Sequence, residues 1–157
     1  MSIAAALLEA APDRVPPLVK HGHGDAEVLQ LLEGLSAEEL FPGARAPKGA
    51  LAGLYWYFGC WQQAHEVAQD DPSPEGSYWH AIIHRQEPDG ANANYWFRRV
   101  GQHPVQAQLT KQFGKWEAGE FVEACEGARP GSDQEREAHA RQLAEWRLLY
   151  DYCKECA

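Results

Sequence analysis

The sequence is short of basic residues and of long apolar runs, and each shortage excludes a class of partner. Lysine and arginine together number 14 against 23 aspartate and glutamate residues, which gives a formal net charge of -9. Proteins that bind nucleic acid gain much of their affinity from Lys and Arg, which release counterions from the phosphates. No stretch of the chain approaches the apolar length of a membrane span. We therefore expect no nucleic-acid partner and no membrane partner.

Cysteine is also scarce, with four residues in the chain. Cys60 lies within a strongly apolar helical segment, where a reduced thiol packs as a small hydrophobe. The segment from Met1 to Arg14 has no basic start, and its apolar run is too short for a secretory leader. These features predict a cytoplasmic protein with reduced thiols.

The chain closes on Cys153 and Cys156, which form a C-x-x-C motif at the end of a predicted helix. A thioredoxin-type motif opens a helix, where the helix dipole lowers the thiol pKa, whereas here the dipole acts in the opposite sense. A structural zinc site would need two more ligands, for which His21 and His23 are the obvious donors. The role of the two cysteines stays open.

Strict apolar alternation is missing as well, and helical spacing dominates the chain. The pattern predicts an all-α fold of about seven or eight helices, arranged as one compact multi-helix domain over residues 1–157. Asp25 is predicted to cap one helix, and Ser36 with Glu39 is predicted to form a capping box at the next.

Two elements form the centre of the predicted domain. From Ala50 to Gln69 the spacing predicts one long helix with a core-facing stripe, made by Leu54, Phe58, Trp61 and His65. Helices over 77–86 and 91–100, joined by a Pro- and Gly-containing turn, are predicted to form a helical hairpin. Ten aromatic residues and three histidines are concentrated between Tyr55 and Phe97.

Three histidines and one acid in this window predict a metal site. His80 and His84 are four residues apart on one predicted helix and therefore share a face. His65, on the preceding helix, is expected to approach them, and Glu87 extends the same face. Neutral imidazole is a good ligand for zinc and other divalent transition metals, and a vacant coordination position would hold a water for hydrolytic chemistry. The alternative is that His65 and His80 are partly buried and donate to backbone carbonyls or to acidic partners such as Glu87, and that His84 lies on a solvated edge.

A pocket for a small anionic molecule is a further interpretation of the same window. Flat aromatic walls, an amide and forked guanidinium groups would suit a carboxylate or a phosphate. The residues assigned to this pocket are Trp61, Trp79, Arg85, Asn94, Tyr95 and Arg98. The alternative is that most of the aromatic residues are core.

The segment GSYWHAIIHR, from Gly76 to Arg85, continues through NYWFRRVGQHP, which ends at Pro104. It resembles a family of uncharacterised bacterial and fungal proteins, with HEVAQ at 65–69 as a shorter match. The resemblance brings no settled activity and so implies no catalytic residue. The hairpin also looks locally like a tetratricopeptide-type helix pair, although Tyr-Trp pairs at 55, 78 and 95 are unequally spaced and predict no regular solenoid.

Three functions are therefore open. The first, which the sequence favours, is a binding or interaction domain without catalysis. The second is a small metal-dependent, hydrolase-like enzyme that uses His65, His80, His84 and Glu87. The third is a pocket for a small anionic ligand. The sequence leaves the metal, the substrate and the oligomeric state undetermined.

Overall fold

The structure, a computed structural model that describes all 157 residues, has ten helices and no strand. It confirms the all-α prediction. The helices are α1 (Ile3–Ala10), α2 (Ala26–Leu32), α3 (Ala37–Leu40), α4 (Pro47–Tyr57), α5 (Trp61–Gln69), α6 (Pro74–Gln86), α7 (Gly90–Val100), α8 (Pro104–Phe113), α9 (Ala118–Gly127) and α10 (Asp133–Lys154). No helix combines the length and the apolar character needed to cross a bilayer.

The prediction of one helix from Ala50 to Gln69 is wrong, because the chain breaks between α4 and α5. Gly59 adopts the left-handed conformation, with φ of +74°. The N–H of Cys60 then reaches back to the carbonyl of Tyr55 at 2.9 Å, and the N–H of Gly59 reaches that of Trp56 at 3.0 Å. This pair of bonds is the Schellman motif, which ends a helix at a glycine.

Both predicted helix caps are confirmed. The side chain of Asp25 accepts from the backbone N–H groups of Glu27 and Val28 at the start of α2. Ser36 and Glu39 form a reciprocal capping box at α3. Satisfied N-termini let these short helices form where their length alone would not support them.

The predicted hairpin is present as α6 and α7, and α6 is the most enclosed helix of the fold. Every residue from Gly76 to Gln86 is buried. Helices α4, α5 and α7 all pack against it. A helix buried on every side must satisfy its polar side chains internally, and this requirement shapes the site described below. The likeness of the hairpin to a tetratricopeptide-type pair stays a prediction.

Two buried amides hold the loop before α2 against this core. Gln86 donates from Nε2 to the carbonyl of Pro17 at 2.7 Å, and its Oε1 accepts from the indoles of Trp56 and Trp61. Gln142 on α10 donates to the carbonyls of both Pro16 and Pro17. These hydrogen bonds fix the position of the loop against α6. The residues that follow Pro17, from Lys20 to His23, line the same cavity as His65.

Candidate metal centre

The three predicted histidines converge between α5 and α6. The Nε2 atoms of His65 and His80 lie 3.0 Å apart. The ring centroid of His84 lies 4.6 Å from that of His80 and 5.4 Å from that of His65. One ring nitrogen from each of the three residues lies within 4.8 Å of the other two, a spacing from which they could hold a metal ion.

Helix geometry explains the convergence. His80 and His84 are one turn apart on α6, so that their rings stack with an interplanar angle of 26°. His65 meets this pair edge-on from α5, at 81° to the ring of His80. Ala68, three residues after His65, is also buried, and α5 packs directly against α6.

Neighbouring side chains hold each ring in place. Trp96 from α7 stacks on the outer face of His80, with ring centroids 4.0 Å apart. Glu87 Oε2 lies 3.0 Å from His84 Nδ1. Asn92 Nδ2 approaches the same ring at 3.3 Å from Nε2. His80 Nδ1 is buried without a partner, so that its ring is oriented by stacking and by the contact of its Nε2 with His65.

The environment keeps two of the imidazoles neutral. Burial, followed by the proximity of His84 and His65, lowers the pKa of His80 to about 4. Burial and the proximity of His84 also lower the pKa of His65 below its ordinary value of 6.5. A neutral imidazole is the form that binds a metal ion. The cluster is therefore ready to coordinate a metal at neutral pH.

The spacing of the nitrogens fits a transition metal with little rearrangement. Two imidazole nitrogens bound to zinc at 2.0–2.1 Å in tetrahedral geometry lie about 3.4 Å apart. His65 and His80 are already at 3.0 Å. An ion between them would require these two side chains to separate by only a few tenths of an ångström, and His84 to move inward.

Glu87, which the sequence assigns to the ligand set, is not in the group of His65, His80 and His84, but lies with His84 and Asp89 in a second group that could hold a metal ion. Its carboxylate binds the Nδ1 edge of His84, and Lys20 Nζ lies 3.9 Å from its other oxygen. A carboxylate behind a histidine fixes the orientation of the ring and makes it a better ligand. In this arrangement Glu87 would orient His84, and the other ring nitrogen, now 3.3 Å from Asn92 Nδ2, would have to exchange that contact for a metal.

A cavity of about 750 Å³ lies beside the cluster and reaches His65. Trp61, Leu29 and Ile83 form its apolar wall. Its rim carries Lys20, His21 and His23 from the loop before α2, and Gln62 and Gln63 from α5. A ligand in this cavity would have access to the histidine cluster.

The six residues predicted for the anion pocket are not brought together in one cavity. Trp61 lines the cavity beside the histidines, whereas Asn94 and Arg98 line another, of about 560 Å³, next to Trp116. Tyr95 is exposed, and Trp79 is completely buried in the core.

Arg85 is placed differently from its predicted role, in the interior of the protein. Its side chain is 0% exposed, and its guanidinium donates to Glu145 at 2.8 Å and to Gln142 at 3.1 Å. An arginine on a helix that is buried on all sides needs an internal acid. This pairing is the reason why Arg85 does not face a surface ligand.

The C-terminal cysteines lie away from the histidines. Cys153 is buried, and burial strongly raises the pKa of its thiol. It packs so closely on α4 that a Cβ added to Gly49 would lie 2.7 Å from its Sγ. Cys156 pairs its backbone with Ala44. His21 instead faces Trp61, with ring centroids 6.3 Å apart. No group of potential metal ligands contains a cysteine.

Lys20 was not among the predicted site residues, and His21 and His23 were considered only as zinc donors beside the C-terminal cysteines. The only signal in the sequence was the pattern His21-Gly22-His23-Gly24, in which two donors alternate with glycine. Comparison of the chain with family models, with curated proteins and with solved structures gave no match.

Proposed function

We propose that the protein is a small metal-dependent enzyme that binds a divalent transition metal ion, zinc first, through His65, His80 and His84. The observation that carries the proposal is the convergence of the three imidazoles beside an open cavity. If these three positions served only to fill the core, we would expect apolar side chains there, because burying an imidazole costs desolvation free energy.

The donor set supports zinc in a catalytic role. Structural zinc sites use four protein ligands, whereas catalytic sites use three and leave the fourth position to water. Three histidines satisfy the second pattern, and the cavity that reaches His65 gives water and substrate access. Glu87, bound to His84 Nδ1, supplies the outer carboxylate that such sites use.

The proposed reaction is hydrolysis. A zinc ion held by His65, His80 and His84 would lower the pKa of a bound water to about 7 and so supply hydroxide near neutral pH, with Glu87 orienting His84. One water would be consumed for each bond cleaved, its hydroxyl going to the electrophilic carbon or phosphorus and its proton to the leaving group.

A reducing compartment such as the cytosol is part of the proposal. Cys60, Cys125 and Cys153 are buried free thiols, and they support it.

Metal analysis tests the proposal directly. The protein is purified without a metal-affinity column, stripped with chelator and titrated with Zn²⁺ in a calorimeter. We expect one equivalent to bind, and His65→Gln to weaken binding by more than about 100-fold, because loss of an outer partner alone costs 10–100-fold. His139→Gln, which changes a histidine on α10 outside the cluster, is the control and should bind as the parent does.

The catalytic part of the proposal has its own readout. The zinc-loaded protein should hydrolyse 4-nitrophenyl acetate faster than the stripped protein, and His65→Gln should lose that increment. Failure to bind Zn²⁺, Co²⁺ or Ni²⁺ would remove the whole proposal. Stoichiometric binding without any hydrolysis would remove the enzymatic part and leave a metal-binding protein.

A further inference from the structure

The cavity beside the histidine cluster has a rim of hydrogen-bond donors on a loop that the fold holds in place. The loop comprises residues 20–24 and carries Lys20, His21 and His23. Lys20 donates its backbone N–H to the carbonyl of Gln86 at 2.9 Å. At the other end, Asp25, the residue that follows the loop, donates its N–H to the carbonyl of Phe58 at 3.1 Å.

Gly24 fixes the end of this loop against α5. It has a φ of +88°, and a Cβ built on it would lie 2.8 Å from both Cα and Sγ of Cys60. Only glycine permits that approach. The loop backbone is therefore bound at both ends, beside the cavity that Lys20, His21 and His23 line.

The charges around the cavity favour an anion once the metal is bound. Lys20 and Glu87 are the only Lys, Arg, Asp or Glu side chains in its lining, and they lie 3.9 Å apart. The carboxylate of Glu87 is also engaged by His84. With these two charges balanced, a divalent cation gives the cavity an excess of positive charge, which attracts an oxyanion.

The apolar wall limits the rest of the ligand. Trp61, Leu29 and Ile83 provide a short hydrophobic surface within a cavity of about 750 Å³. This volume suits a small metabolite, since ligand pockets span roughly 300–1,000 Å³. Gln62 and Gln63 add amide groups at the edge of this surface.

We propose that this cavity binds the carboxylate or phosphate group of a small organic molecule, with Lys20, His21 and His23 as the donors that hold it. The oxyanion is the shared chemistry of the two ligand types. The inference rests on the proposed function in one respect, since it names the substrate class of the metal site. The loop itself can be tested without the metal.

The experiment measures anion binding by calorimetry on the zinc-loaded chain, with inorganic phosphate in one arm and propionate in the other. We expect at least one probe to bind, and Lys20→Ala to weaken that binding by about tenfold or more. Lys20 is exposed on the rim, so the variant should fold as the parent does. Lys111→Ala removes the same charge from an exposed position on α8 and should leave binding unchanged.

The two arms identify the group that is recognised. Phosphate binding alone assigns a phosphorylated ligand, and propionate binding alone assigns a carboxylate. Equal affinities in Lys20→Ala and the parent would overturn the inference, because the anion would then be held by the metal alone. Absence of binding to a fully zinc-loaded protein would also overturn it, while leaving metal binding intact.

Failure of the metal site is distinguishable from failure of this inference. If no metal binds, the same titrations are followed by amide NMR on the metal-free chain. Shifts at residues 20–24 that disappear in Lys20→Ala would then support an anion site on the loop. Absence of such shifts would overturn it.

Discussion

The Nε2 atoms of His65 and His80 lie 3.0 Å apart, and the other ring nitrogen of His80 is buried without a partner. Two imidazoles at this distance share one proton in a hydrogen bond, or they share a metal ion. Burial first, and then the proximity of His84, lowers the pKa of each ring, and His65 adds to the effect on His80.

The first prediction concerns the pH dependence of zinc affinity. Below pH 6.5 an ordinary histidine takes up a proton, which it must lose again to bind a metal ion. For each ligand histidine that is protonated, the zinc affinity falls by up to tenfold per pH unit. Burial and the neighbouring imidazoles lower the pKa of both His65 and His80, that of His80 to about 4, so these rings take up a proton less readily below pH 6.5 than an ordinary histidine does. The logarithm of the affinity should therefore fall with a slope well below three between roughly pH 6.5 and 5.5.

Calorimetric titrations at a series of pH values measure this slope. A slope near three would show that all three rings titrate as exposed histidines do, and would contradict the buried arrangement. Salt and buffer composition are held constant, because zinc also binds many buffer anions.

The second prediction concerns Glu87 as the residue that orients His84. Glu87→Gln keeps the shape of the side chain but removes the charge that binds His84 Nδ1 at 3.0 Å. Zinc affinity should fall about 10–100-fold, the usual cost of losing an outer carboxylate. Glu123→Gln, on the exposed face of α9, is the control with the same change of charge. An unchanged affinity in Glu87→Gln would show that the carboxylate does not act on the metal.

Much of the fold and of this cluster could be predicted from the sequence, because both depend on local spacing. The i, i+4 relation of His80 and His84 sets their common face, and the succession of helices brings His65 near them. The caps at Asp25 and Ser36 are local signals as well. Residues 58–60 were misassigned because the apolar spacing continues across the Schellman turn, so that only Gly59 signalled the break.

Long-range pairing could not be predicted. Nothing near Arg85 in the sequence indicates that Glu145, 60 residues later, supplies its partner. The position of the 20–24 loop likewise depends on Gln86 and Gln142, whose amides bind Pro17 across 69 and 125 residues of chain. Such contacts are decided by packing, for which periodicity carries no information.

A third prediction concerns the pH dependence of stability at Glu75. His103 Nδ1 accepts from the N–H of Val105 at 3.2 Å, so its proton lies on Nε2, which donates to Glu75 at 3.1 Å. This bond lowers the pKa of Glu75 below 4.5, although burial opposes the effect. Because the native pKa is the lower one, the stabilisation is complete above pH 4.5 and is lost as the pH falls through the native value.

Urea denaturation between roughly pH 6 and pH 3 measures this loss. Glu75→Gln should be less stable than the parent at the upper end, and the difference should shrink as the solution is acidified. Glu9→Gln, on the exposed side of α1, should follow the parent at every pH. A difference that is constant with pH would contradict the assigned protonation.

The fourth prediction concerns the buried pair of Arg85 and Glu145. Glu145→Leu leaves the guanidinium in the core without an acid, and also removes the acceptor of the Tyr78 hydroxyl. Unfolding free energy should fall by about 3–5 kcal/mol, because an uncompensated charge is left in the interior. The double variant Arg85→Met with Glu145→Leu should regain a large part of this loss.

Denaturant unfolding of the single and double variants measures these differences in unfolding free energy. Glu137→Ala breaks the exposed pair with Arg141 and should cost less than about 1 kcal/mol. A double variant that is as unstable as the sum of its single variants would show that the two side chains do not act as a pair.

The last prediction separates two reasons for glycine in the 20–24 loop. Gly22 and Gly24 both have positive φ, at +73° and +88°, but a Cβ on Gly22 meets nothing within 4 Å, whereas one on Gly24 meets Cys60 at 2.8 Å. Gly22→Ala should therefore cost only the backbone strain, about 1–2 kcal/mol. Gly24→Ala should cost more and should also displace the loop from α5, which moves Lys20, His21 and His23 away from the cavity. Thermal unfolding gives the first difference, and phosphate or propionate binding gives the second. Equal losses in the two variants would show that the contact with Cys60 does not hold the loop in place.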